Sequence, residues 1–213
     1  MSRGALFRTG AIEKNRLEAF SDGVMAIVIT LLILEVKVPE GLPDEAALWR
    51  ALGHIAPVAG AWAVSFLFVL VFWVNHHYFV ASLRHADRGL LWLNGLFLLS
   101  ISATPFPTGL VGAYPGTTPP LLLLSGTMCA TSLAFLLMRF YAGGRAGLLS
   151  DTLDKEARRK SLLRSAVAPV LYALAGLLAF LYPPGALLLQ LLVPLLFFLR
   201  SPAGHGAEPP LTN

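Results

Sequence analysis

The stretch from Arg16 to Pro39, RLEAFSDGVMAIVITLLILEVKVP, combines a long apolar run with an acidic residue near its start. About 20 mostly apolar residues are enough for a helix to cross a bilayer. A charge inside such a helix costs free energy unless a polar group compensates it, so Asp22 requires a partner elsewhere in the fold. The stretch therefore predicts a first transmembrane helix that makes a specific polar contact.

The composition of the whole chain agrees with a membrane protein. Of its 213 residues, 56% are hydrophobic and 13% are charged, and the mean hydropathy is +0.69. The net charge of +4 comes from basic residues that flank apolar segments, which reports membrane topology and gives no reason to expect a nucleic-acid partner. The single Cys129 excludes an intramolecular disulfide.

Six apolar segments are long enough to be transmembrane helices, so we predict an all-α, polytopic membrane protein. The segments are Leu17 to Val38, Ile55 to Val80, Gly89 to Leu110, Pro119 to Ala142, Leu162 to Tyr182 and Pro184 to Arg200. No internal repeat or linker divides them, which predicts one domain over residues 1–200. The remaining residues, 201–213, are rich in Gly and Pro and predict a disordered tail.

The distribution of basic residues predicts the orientation of the chain. With six spans, all 16 Lys and Arg residues except Lys37 and Arg50 fall on the side of the N-terminus. By the positive-inside rule this side is cytoplasmic, and both termini lie there. The basic loop before the fifth span lies on the same side and is expected to touch anionic headgroups, which makes membrane lipids a predicted partner.

The first span has two distinct faces on an ideal helix. One face carries residues that lie within about 40° of a common line, and we call it the apolar stripe. Its members are Phe20, Gly23, Ile27, Thr30, Leu31, Leu34 and Val38. Ser21 and Asp22 point about 120 to 140° away. Such a stripe is also typical of ordinary helix packing in any bundle, so periodicity alone assigns it no function.

Polar residues from three consecutive spans are predicted at one depth near the cytoplasmic side, and we call this group the polar layer. Its members are Ser21, Asp22, Trp73, Asn75, His76, His77 and Asn94. Side chains at matched depth can satisfy one another and offset the free energy of burial. The layer therefore predicts a polar contact between helices, although a hydrated membrane edge would also accommodate these residues.

A metal site or a hydrolytic site would use the same residues, and the spacing supports neither. Adjacent helical residues such as His76 and His77 point about 100° apart, and the chain lacks the HExxH pattern. Ser21 and Asp22 are neighbours on one helix, and no GxSxG motif is present. We predict no metal, no cofactor and no enzymatic activity.

The motif formed by Arg16, Phe20-Ser21-Asp22-Gly23 and the following ITLLILE resembles the signature of the transmembrane protein 175 family of potassium channels, in its prokaryotic form. The WxNHH segment around His76 and the third span, which carries Asn94 and ends in ProPhePro, extend the resemblance. The last three spans match only in hydrophobic character.

The resemblance implies a homotetrameric cation channel of the bacterial plasma membrane, with a pore lined by the first helix of each subunit. It implies that Ile27, Leu31 and Leu34 form an apolar constriction and that Thr30 supplies a ring of hydroxyl groups. It also places Arg16 and Phe20 with the polar layer in a network that anchors the pore helix. The chain lacks the TVGYG filter of ordinary potassium channels.

The expected permeant ion is K⁺, with modest selectivity over Na⁺, because K⁺ loses less on partial dehydration in an apolar constriction. A histidine beside a carboxylate titrates near neutral pH, which keeps H⁺ as a second candidate ion. Two alternatives stay open at this point. One is a secondary transporter in which Asp22 and a histidine carry coupled protons, and the other is a membrane scaffold that conducts no ions.

Overall fold

The computed structural model describes residues 14–145, 147–149 and 155–199, and the ordered elements within them are helical. The helices are α1 (Lys14–Leu31), α2 (Glu45–Ala81), α3 (Arg88–Ser102), α4 (Pro105–Ala113), α5 (Thr118–Gly144), α6 (Lys155–Leu181) and α7 (Pro183–Leu199). A 3-10 turn, Leu32–Glu35, continues α1. The predicted disordered tail, 201–213, lies outside the described residues.

The prediction of an all-α, multi-pass membrane protein is confirmed. Within the described residues, five helical segments are long and apolar enough to cross a membrane: Lys14–Glu35, Glu45–Ala81, Arg88–Ala113, Thr118–Gly144 and Arg158–Leu181. Pro183–Phe197 is a shorter apolar helix. These six segments correspond to the six that the hydropathy of the sequence indicates.

Helix α2 begins ten residues before the predicted span. Asp44 is its N-cap, with extended backbone angles and a side chain that accepts a hydrogen bond from the Ala47 N–H at 2.7 Å. An aspartate in this position satisfies one of the free N–H groups of the first turn. The acidic connection before the second span is therefore partly helical, and α2 is 37 residues long.

The third span is broken into α3 and α4 at Ala103 and Thr104. Proline has no N–H, and its ring clashes with the carbonyl four residues earlier, so Pro105 cannot continue α3. The carbonyl of Ile101 instead accepts hydrogen bonds from the N–H of Thr104 at 3.1 Å and from its hydroxyl at 2.6 Å. Pro105 then occupies the first position of α4, where a missing N–H costs nothing.

The helices pack so that α1 lies against α2 and α3, while α5 contacts α3, α4 and α6. Helix α7 packs on α6 and α2. Polar pairs also join helices away from the polar layer, and two of them are buried. The hydroxyls of Ser65 and Thr108 meet at 2.6 Å between α2 and α4, and the Gln190 amide donates to the Ser125 hydroxyl at 2.6 Å between α7 and α5.

Candidate functional site

The side chain of Asn94 on α3 occupies the centre of the polar layer. Its amide nitrogen donates a hydrogen bond to the Ser21 hydroxyl on α1 at 2.9 Å. Ser21 in turn donates to the Leu17 carbonyl at 2.8 Å, within its own helix. Ser21 and Asn94 are both buried, so the pair holds α1 against α3 through a contact shielded from solvent.

His76 on α2 completes this buried group. Its Nε2 lies 2.9 Å from the amide oxygen of Asn94, and because an amide oxygen only accepts, Nε2 is the protonated nitrogen. The ring stacks on Phe97 with centroids 5.3 Å apart and planes 6° from parallel. Asn94 therefore bridges α1 and α2, and aromatic packing fixes the orientation of the imidazole.

A second set of contacts joins α1 directly to α2. The indole N–H of Trp73 donates to the Asp22 carboxylate at 2.9 Å. One helical turn away, His77 Nδ1 lies 3.2 Å from a Glu18 carboxylate oxygen. Glu18 and Asp22 are four residues apart, as are Trp73 and His77, so two antiparallel helices place both pairs in register.

The sequence does not decide whether His76 or His77 contacts Asp22. In the structure neither histidine is the hydrogen-bond partner of Asp22, because Trp73 occupies that position. Glu18 was absent from the predicted polar layer. The sequence signal for including Glu18 is its spacing of four residues from Asp22, which places both carboxylates on one face of α1.

Three residues named from the sequence lie outside this group. The Asn75 amide bonds the Val71 carbonyl of its own helix at 2.8 Å and points away from α1. Arg16 and Phe20 are exposed on α1. Among the described residues, no hydrogen bond or ion pair joins Arg16 to Asp22.

The opposite face of α1 and of the 3-10 turn that continues it is open. The helical part of the predicted first span ends at Glu35, so Leu34 lies in the 3-10 turn and Val38 lies beyond it. All residues of the apolar stripe are exposed in the single chain, including Ile27 at 59%, Leu31 at 45% and Leu34 at 58%. Ser21, Met25, Val28 and Leu32 of the buried face are at most 4% exposed. Helix α1 thus presents an apolar surface with Thr30 on it, and polar contacts hold the other side.

The chemistry available at this site is contact and positioning. Within the described ranges, no group of three His, Cys, Asp or Glu side chains is arranged to hold a metal ion. The buried partners of Ser21 are an amide and a main-chain carbonyl, which cannot act as a general base. The arrangement is suited to fixing α1 within the bundle.

Comparison with known proteins gives matches that carry the name of potassium channels or of TMEM175. The family model described as endosomal/lysosomal potassium channel TMEM175 matches residues 16–105. A protein of Streptomyces collinus named potassium channel is 38% identical over 176 residues, which cover 81% of this chain and 85% of that protein. A Bos taurus protein named endosomal/lysosomal proton channel TMEM175 is 33% identical over 184 residues, covering 79% of this chain and 37% of that protein.

The fold matches a solved structure over nearly its full length. The crystal structure of a lysosomal potassium-selective channel TMEM175 homolog from Chamaesiphon minutus superposes with a TM-score of 0.80 at 31% identity. The match covers 89% of this chain and 98% of that one.

Proposed function

The chain belongs to the TMEM175 family, and we propose that it is a potassium channel whose pore is lined by α1 from four copies of the chain. The single observation that carries this proposal is the division of α1 into two faces. Polar contacts hold one face to α2 and α3, and the other face is apolar and exposed.

The exposed apolar stripe fits a pore-lining role, and the match to potassium channels favours that role over contact with lipid alone. Exposed Thr30, Gly23 and Arg16 share this side of α1 with the apolar residues. The Thr30 hydroxyl bonds the Ala26 and Ile27 carbonyls of its own helix, and Arg16 lies near the start of α1, so both residues are accommodated at a pore as well as at the membrane edge. Ile27, Leu31 and Leu34 are then the constriction, and Thr30 lies beside it.

Ion preference in this proposal follows from partial dehydration. An apolar ring offers an ion little to replace lost water, and such rings can also close by dewetting. K⁺ is more weakly hydrated than Na⁺, so its free energy rises less in the constriction. We therefore expect a preference for K⁺ over Na⁺ that is weaker than the preference produced by a cage of carbonyl oxygens. Conduction of this kind requires no cofactor.

The test is a bilayer recording of purified protein with KCl on one side and NaCl on the other. We expect unitary steps and a reversal potential close to that of K⁺. Ile27→Asn and Leu31→Asn should each raise Na⁺ permeability, because an amide can replace water around the smaller ion. Leu177→Asn, at a similarly exposed position on α6, is the matched control and should leave the reversal potential unchanged.

Three results would contradict the proposal. Unchanged reversal potentials in both α1 variants would remove Ile27 and Leu31 from the pore. Saturable flux without unitary steps would favour the secondary transporter, and folded protein without any flux would favour a scaffold.

Protons are a second candidate ion because a relative that is 33% identical is named a proton channel. The same recordings under a pH gradient with symmetrical KCl test this. A reversal potential that follows the pH gradient would establish proton permeation.

We further propose that the channel lies in the bacterial plasma membrane with both termini in the cytoplasm. The basic residues support this orientation, because nearly all of them flank the ends of the spans on the side where α1 begins. Cysteine labelling from each side of intact vesicles would test it.

A further inference from the structure

A cavity of about 680 Å³ lies between α2, α5, α6 and α7. Along α2 its lining runs from Phe68 to Tyr78, which is about 15 Å of helix. Along α6 it runs from Lys160 to Tyr172, about 18 Å. Half of a hydrocarbon core of about 30 Å is the same length, so the cavity has the depth of one leaflet.

The walls of the cavity differ between its two ends. Its deep part is lined by aromatic and aliphatic side chains, among them Phe68, Phe72, Phe135, Tyr172 and Val193. Its other end, at the start of α6 and the end of α5, carries the cationic side chains of Arg139, Lys160 and Arg164. A long apolar slot with a basic entrance matches an amphiphile with a negatively charged head.

Arg139 is the innermost of the three cations. Its guanidinium lies 4.9 Å from the Phe135 ring centroid and 5.6 Å from that of Phe79. It also donates hydrogen bonds to the Ser161 hydroxyl and to the Asn75 carbonyl. Its Nε is buried without a hydrogen-bond partner, and no carboxylate pairs with it in the described part of the chain.

Lys160 stands at the rim. Its ammonium pairs with Glu156 at 2.7 Å, and both side chains are more than two thirds exposed. An exposed pair of this kind contributes little and is easily exchanged for another anion. The rim can therefore contribute a cation to a ligand without disturbing the bundle.

From this geometry we propose that the cavity is a binding site for one anionic phospholipid. Its phosphate contacts Arg139, Arg164 and Lys160, and an acyl chain fills the apolar slot. Basic pockets between transmembrane helices are suited to anionic headgroups, and a guanidinium binds phosphate oxygens in bidentate fashion. A free phosphate ion would leave the apolar part of the cavity empty, so the lipid explains both ends.

The site adjoins the polar layer through Asn75, which lines the cavity and is the one member of the predicted layer that does so. Arg139 donates to the carbonyl of Asn75, and the next residue along α2 is His76. A phosphate that draws Arg139 toward the entrance acts on the same turn of α2 that holds α1.

The experiment measures lipid retention by native mass spectrometry. Delipidated full-length protein is incubated with equal amounts of phosphatidylglycerol and phosphatidylcholine that carry identical chains. We expect the wild type to retain phosphatidylglycerol preferentially. Arg164→Gln should lower that preference about fivefold, the effect of one basic residue near an anionic headgroup. Lys160→Gln should also lower the preference for phosphatidylglycerol. Because the Lys160 side chain is exposed, this substitution should leave the fold intact.

Arg159→Gln is the matched control, because Arg159 is an exposed arginine of the same helix that does not line the cavity. It should leave the preference unchanged. Ser165→Phe, which fills the slot, should reduce retention of the lipid, while excess inorganic phosphate should not displace it.

Four results would overturn the proposal. Equal retention of the two lipids would exclude recognition of the headgroup charge. An Arg159→Gln effect as large as that of Arg164→Gln would mean diffuse attraction to the basic surface. Displacement by inorganic phosphate, or unchanged retention in Ser165→Phe, would mean that no acyl chain occupies the slot.

Discussion

Trp73 and Asp22 are joined by a hydrogen bond of 2.9 Å from an indole N–H to a carboxylate, one turn from the contact between His77 and Glu18. This bond is charge-assisted and crosses from α2 to α1, on the side of α1 away from the apolar stripe. Its loss should therefore affect the position of α1 more than the chemistry of the pore.

We expect Asp22→Ala to weaken assembly of the proposed tetramer or opening of its pore, while the ratio of K⁺ to Na⁺ permeability changes little. Trp73→Phe, which keeps an aromatic ring but removes the N–H, should have a similar effect. The double variant should be no worse than either single one, because both remove the same bond. Size-exclusion chromatography and single-channel recording check this, and a normal tetramer with normal currents in Asp22→Ala would contradict it.

Asn94→Ala should lower the free energy of unfolding by about 1–3 kcal/mol, because it leaves the buried His76 Nε2 without a partner and the Ser21 hydroxyl with the Leu17 carbonyl alone. Thermal unfolding in detergent is the measurement. Asn75→Ala is the control, since that amide bonds only the Val71 carbonyl of its own helix. Equal destabilisation by the two variants would show that the amide of Asn94 has no special role.

The adjacent histidines should differ sharply. His76→Ala removes a fully buried ring from its stack on Phe97 and should cost about 2–4 kcal/mol of stability. His77→Ala breaks a half-exposed pair with Glu18 and should cost at most about 1 kcal/mol. Unfolding curves of the two variants under identical conditions make the comparison, and a larger effect at His77 would contradict the structure.

A glycine sets the approach of α4 to α2. A Cβ added to Gly112 would lie 2.7 Å from the Val58 Cα, and a main-chain atom cannot move aside as a side chain can. Gly112→Ala should therefore destabilise the protein by about 1–3 kcal/mol. Gly126→Ala on α5 is the control, because a Cβ there meets nothing within 4 Å, and it should be neutral or stabilising by up to about 1 kcal/mol. A neutral Gly112→Ala would mean that the two helices are not in close contact.

The number of spans and the family were accessible from the sequence because both depend on local information. Hydropathy over about 20 residues identifies a span, and the FSD motif with WxNHH identifies the family. The depth of a residue along its helix also follows from residue counting. For this reason the predicted polar layer contains residues that contact each other in the structure.

Rotation of neighbouring helices about their own axes could not be read from the sequence. Whether Trp73 or a histidine meets Asp22 depends on a rotation of α2 by about 100°, which packing against α3 and α5 decides. The signal for the break at Thr104 is Pro105, which ends a helix even within an apolar run. The cavity entrance involves Arg139 and Ser161, which are on different helices and share no sequence pattern.

The length of α2 has a practical consequence for imaging. Its 37 residues extend over about 55 Å, whereas a bilayer with its headgroups measures about 40–45 Å. In a detergent micelle or nanodisc, the first turns of α2 therefore project from one side of the belt, at the end opposite the polar layer. In the proposed tetramer, four such projections lie on one side of the particle and distinguish its top from its bottom in electron micrographs.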